Sequence, residues 1–144
     1  MQRMKLRAVV ALAIALTGMA LTATPVQAAH MTVVAISGEV DFGGGAVVQI
    51  GANARGPAGS LSGQGFDTPG KPAGVVPPAY CRFPLTGSVS GDIVTLSGTV
   101  TFSPDPTLIG APVVITADAS SGEIVFDFAG FIATGTGSVV IAHR

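Results

Sequence analysis

Residues 81–102, CRFPLTGSVSGDIVTLSGTVTF, alternate between apolar or small positions and polar ones. Cys81, Phe83, Leu85, Gly87 and Val89 share one parity, and Val94, Leu96, Gly98, Val100 and Phe102 share the matching one. A two-residue turn at Gly91-Asp92 brings both sets onto one face, and glycine suits the positive φ of a type II′ hairpin. The pattern predicts Val89 opposite Val94, Gly87 opposite Leu96, Leu85 opposite Gly98, Phe83 opposite Val100 and Cys81 opposite Phe102. The other face collects Arg82, Pro84, Thr86, Ser88, Thr95, Ser97, Thr99 and Thr101, with Ile93 as its exception. This is an antiparallel pair with one buried and one wet side.

The same reading extends along the chain. Residues 32–55 form a hairpin around Gly43-Gly44-Gly45, with Val40 opposite Val48, Gly38 opposite Ile50 and Ile36 opposite Ala52. Residues 60–66 make a weaker strand. Residues 67–79 hold Pro69, Pro72, Pro77 and Pro78 with Gly70 and Gly74, which predicts an irregular loop. A third hairpin over 112–130 turns at Ser121-Gly122, placing Ala119 opposite Ile124, Ala117 opposite Phe126 and Ile115 opposite Phe128. Residues 131–137 read as a Gly/Thr-rich connection and 138–143 as a last strand. Glycine faces a large side chain in two of the hairpins, which suits a tightly bent sheet. The expectation is an all-β domain, a single antiparallel eight-stranded β-barrel, with a β-sandwich as the alternative.

The N-terminus follows a different logic. Arg3, Lys5 and Arg7 precede an almost uncharged apolar run over 8–23, and Val26-Gln27-Ala28 places small residues at −3 and −1 of a cleavage point. Residues 1–28 therefore read as a signal peptide, helical before its removal, with the barrel domain at 29–144 and a secreted, extracellular destination. An uncleaved anchor is the competing reading, but a spanning helix needs ~20 apolar residues, and Thr24-Pro25 ends the run early. No stable membrane span is expected once the leader is gone. The mature part keeps four basic residues, Arg55, Lys71, Arg82 and Arg144, against eight acids, a net charge of −4. That balance disfavours nucleic acid as a partner.

The order GGGAVVQIGANARGPAGSLSGQGF, then LTGSVSGDIVTLSGTVTF, then GTGSVVIAHR resembles small secreted bacterial barrel domains of unknown function, similar to the allene-oxide-cyclase-like barrel superfamily. The resemblance spans nearly the whole mature chain and implies the barrel fold. No catalytic residue of a cyclase falls on a matching position.

Catalytic vocabulary is sparse. No Ser/His/Asp order, phosphate loop or Cys/His metal spacing is present, so no catalytic residue, metal ligand or cofactor is expected. Cys81 reads as a buried small hydrophobe. His30 lies near the new N-terminus, where Cu(II) chelation with the α-amino group competes with simple fraying. Glu39 with Asp41, and Thr116 with Asp118 and Asp127, are carboxylate groupings that could do acid/base work or bind Ca²⁺, or simply form a solvated outer face. The Thr95, Ser97, Thr99, Thr101 row suits a wet strand or a flat recognition surface. Tyr80 and Arg82, at the end of the proline-rich segment, are the candidate ligand contacts, with Tyr80 packing over a barrel mouth as the structural alternative. The expected function is a secreted, non-catalytic binding or interaction module for a small apolar ligand or an extracellular protein or glycan. A barrel-interior isomerase or cyclase and a structural surface component are the alternatives.

Overall fold

A computed structural model describes residues 30–69 and 80–144. The expected signal peptide and residues 70–79 of the proline-rich segment lie outside the described residues. Eight strands follow one another: β1 Thr32–Asp41, β2 Val47–Gly56, β3 Leu61–Pro69, β4 Cys81–Ser90, β5 Ile93–Thr99, β6 Pro112–Asp118, β7 Glu123–Phe128 and β8 Phe131–His143. Each is antiparallel to the next, and β8 returns to pair with β1, so the sheet is a closed barrel rather than a sandwich. A single 3-10 turn, Pro106–Leu108, links β5 to β6.

Turn chemistry sets the register. Gly43, Gly44 and Gly45 all have positive φ, and the Phe42 N–H reaches the Ala46 carbonyl at 3.1 Å. Val40 faces Val48, Gly38 faces Ile50 and Ile36 faces Ala52, as the alternation predicts. Gly91 has φ 60°, and the hairpin after it pairs Val89 with Val94, Gly87 with Leu96 and Leu85 with Gly98.

Three sequence expectations require correction. The third hairpin pairs Ala117 with Ile124, Ile115 with Phe126 and Val113 with Phe128, two residues away from the expected register. Asp118 explains the shift: its Oδ1 accepts from the Ser120 N–H at 2.8 Å, and its carbonyl accepts from the Gly122 N–H at 2.8 Å, which makes a four-residue loop. Because the error is even, the inward parity survives. The 131–137 stretch belongs to β8, which starts directly after a turn at Ala129 and Gly130, both with positive φ (51° and 94°). Finally, Asp67 to Pro69 continue β3 opposite Ile50, Gln49 and Val48. Pro69 is tolerated there because it ends the strand.

Side chains fill the interior. Phe83, Phe126, Ile50, Leu61, Leu85, Leu96, Ile115 and Ile124 are all at least 98 % buried. Phe126 lies at the centre of an aromatic cluster, 6.1 Å from Phe42, 6.2 Å from Phe83 and 6.1 Å from Phe128. Gly65 makes room for this packing: a Cβ there would sit 2.5 Å from Phe83 and 2.8 Å from Leu85. Burying each large side chain contributes about 1.5–3 kcal/mol, and the packed interior stands in for the disulfides that the lone Cys81 cannot form.

Candidate functional site

The start of β4 separates two environments. Cys81 and Phe83 point inward and are buried, while Arg82 and Pro84 point outward and are exposed. The regular ladder with β5 ends nearby. The Thr101 and Phe102 N–H groups both reach the Arg82 carbonyl, at 3.0 and 3.4 Å, and Arg82 rather than Cys81 faces Phe102. Two consecutive donors sharing one acceptor define a β-bulge, whose extra residue offsets the alternation beyond it. Val100 therefore keeps its inward place, 1 % exposed, while Phe102 turns outward and is 52 % exposed. The expected Cys81–Phe102 pairing fails for this reason.

On the inner side the bulge leaves a polar cluster at the barrel end. Asp67 faces Cys81 in the β3–β4 register, and both are buried with Ser103. Burial pushes the Asp67 carboxyl up to about 6, against the pull of hydrogen bonds from the Cys81 thiol and from the Cys81 and Asp67 backbone. Its Oδ1 is buried without a hydrogen-bond partner. Burial, followed by the neighbouring Asp67 charge, pushes the Cys81 thiol up to about 12, with a Ser103 hydrogen bond acting in the opposite direction. A thiol in that state holds almost no thiolate at neutral pH, so Cys81 is a poor nucleophile. By sequence alone, the prolines that follow Asp67 assign it to the loop. Its shared parity with Leu61, Gly63 and Gly65 was the signal that it points inward.

On the outer side, Tyr80 packs edge-on against Phe102, with ring centroids 6.2 Å apart at 72°. Tyr80 thus rests against the outward-turned Phe102. The register aligns Phe66, Arg82 and Phe102 in one row across β3, β4 and the bulge, and Phe66 is 41 % exposed. Two shallow grooves run along this wall. One, of ≈ 660 Å³, is lined by Asn53, Arg55, Ser62 and Thr86, and the other, of ≈ 390 Å³, by Arg82, Thr101 and Phe102. Gln64 and Pro84 line both, so the two adjoin. Neither guanidinium makes an ion pair or a side-chain hydrogen bond among the described residues.

Of the other candidates, Glu39 borders this wall, lining a further groove with Gln49 and Phe66. Glu39 and Asp41 point outward, Glu39 is 3.5 Å from the Gln49 amide, and Asp41 accepts from the Gly43 N–H at 2.7 Å. Asp118 and Asp127 each hold a turn through a backbone N–H, that of Ser120 and of Gly130. The Thr95, Ser97, Thr99, Thr101 row is exposed. His143 lies 3.2 Å from the Thr32 hydroxyl, where β8 meets β1, and His30 is exposed. Among the described residues no group of three or more His, Cys, Asp or Glu could hold a metal ion. Comparison with protein-family models, with curated proteins and with solved structures finds no match to the chain.

Proposed function

We propose that the chain is a secreted, non-catalytic β-barrel binding module that engages its partner through the outer wall around Tyr80 and Arg82. The observation that carries this reading is the contrast between the two faces of β4. The inner face is occupied by packed side chains, whereas the outer one presents the exposed rings of Phe66 and Phe102 and a guanidinium without an ion-pair partner among the described residues, over two adjoining grooves. Exposed aromatic and arginine side chains of this kind are enriched where proteins meet partners. The wet outer face and apolar interior are also the reverse of a lipid-spanning barrel, which turns its apolar side outward. The likeness to the allene-oxide-cyclase-like superfamily enters this reading through barrel shape alone.

Native mass spectrometry of the protein recovered from its own source, compared with its denatured mass, tests the reading. The bare chain mass is expected. Excess mass released on unfolding and retained unchanged in Arg82→Gln would favour a ligand carried in the interior and overturn the outer-wall assignment.

A further inference from the structure

We infer that the grooves running across β2 to β4 to Thr101 and Phe102 bind an acidic polysaccharide, with Arg55 and Arg82 engaging its anionic groups. This inference rests on the outer-wall reading above. The first support is charge segregation. No carboxylate lines either groove. Asp67 is inside the barrel, Glu39 is set against Gln49, and the remaining acids lie at or beside the turns at the two barrel ends. A chain with more acids than bases thus presents two cations that make no ion pair among the described residues, with Glu39, beside Phe66, as the one carboxylate at the wall's far border.

The second support is spacing. Arg55 pairs with Ser62 and Arg82 with Phe66, so the two arginines flank β3 on opposite sides, displaced along it from Ser62 to Phe66. Strand geometry puts their Cα atoms roughly 16 Å apart, about 13 Å along the strands and about 10 Å across them. Such a span fits an extended polyanion better than a single small anion. Between the arginines lie the side-chain amides of Asn53 and Gln64 and the hydroxyls of Ser62 and Thr86. These groups both donate and accept, as sugar hydroxyls do. Phe102 and Tyr80 add apolar ring surface beside Arg82, suited to the C–H face of a sugar ring.

The fold argues against the neighbouring macromolecular classes. A peptide adding a strand needs a free sheet edge, and the closed barrel has none. A nucleic acid would bring dense phosphate charge to a protein that is acidic overall.

Tyr80 is the sole tyrosine and the chain has no tryptophan, so intrinsic emission reports from the ring packed against the groove-lining Phe102. The intact protein is titrated with polygalacturonate, neutral dextran and polyglutamate, following tyrosine emission and heat of binding. The expected result is binding of polygalacturonate that weakens as NaCl rises, with dextran silent and polyglutamate clearly weaker. Arg55→Gln and Arg82→Gln should each reduce affinity about three- to fivefold, while melting temperatures stay near that of the parent. Equal binding of dextran would overturn the requirement for acid and leave the binding-module reading intact. Equal binding of polyglutamate would overturn recognition of sugar. Failure to bind any of the three would overturn the glycan inference, while the mass measurement above judges the outer-wall reading separately.

Discussion

The two halves of the β4–β5 hairpin obey different rules. From Leu85 and Gly98 to the Gly91 turn the ladder is regular, every second residue is buried or half-buried, and the outer face is a row of hydroxyls broken by Ile93. From Val100 outward the bulge interrupts the ladder. That half carries the buried Asp67–Cys81–Ser103 cluster on one side and the exposed Phe102, with the half-buried Tyr80 packed against it, on the other. Regular alternation builds a core and a wet face. One extra residue turns a core aromatic outward and leaves polar groups inside, which is how a bulge re-aims side chains.

The largest expected effect tests the regular alternation at its last residue. Val100→Asp should destabilise by several kcal/mol, because it loses ~1.5–3 kcal/mol of Val burial and adds an unpaired buried carboxylate. Thr99→Asp, one position away and exposed, should stay within about 0.5 kcal/mol. Urea denaturation of the pair decides the point, and similar midpoints would break the assigned register. Next comes the contrast between two phenylalanines. Phe126→Ala should cost about 3–5 kcal/mol as a core cavity, whereas Phe102→Ala should cost less than about 1 kcal/mol and instead alter Tyr80 emission. A large loss at Phe102 would mean that the bulge does not turn it out.

The third prediction concerns pH. Asp67 holds its proton up to about 6 in the folded chain, against an ordinary value of 3.8. The fold therefore binds more protons than the unfolded chain between those values, so this group lowers stability as pH rises from about 4 to about 6, and the loss persists above. Asp67→Asn should stabilise the protein by about 2 kcal/mol at pH 7 and have little effect at pH 4. Melting curves at both pH values check it; a destabilised variant at pH 7 would show that the carboxylate is compensated. The smallest effect is kinetic. Cys81, fully buried, should react with iodoacetamide at the rate of unfolding, and prompt labelling of the native protein would contradict the closed inner face.

The regular half was legible because glycine turns and strict parity leave few alternatives. The Gly43–Gly45 and Gly91-Asp92 loops determined two hairpins residue by residue. At the Asp118 loop the turn length was misread, yet parity still identified Ile115, Ala117, Ile124 and Phe126 as core. The candidate site was only half legible. Tyr80 and Arg82 were chosen from their place beside the proline-rich segment, but Phe102 was expected inside. The alternation of Val100, Thr101 and Phe102 continues unbroken through the bulge, so periodicity carries no trace of it. No local signal marks Arg55 or Gln64, because a groove formed by three strands depends on cross-strand neighbours rather than on local pattern.

The seam between β1 and β8 sets an order of events in the life of the chain. Thr32 pairs with His143, and the backbones of Met31 and Arg144 hydrogen-bond to each other at 2.8 and 3.0 Å. The first strand synthesised has the last strand as one of its two neighbours, so a nascent chain cannot close its barrel until residue 143 has left the ribosome. Until then both edges are open to other chains, and the ladder spanning the greatest loop is the one whose closure entropy slows folding most. Chaperone dependence and aggregation during synthesis should therefore respond to damage at this seam more than at any hairpin turn.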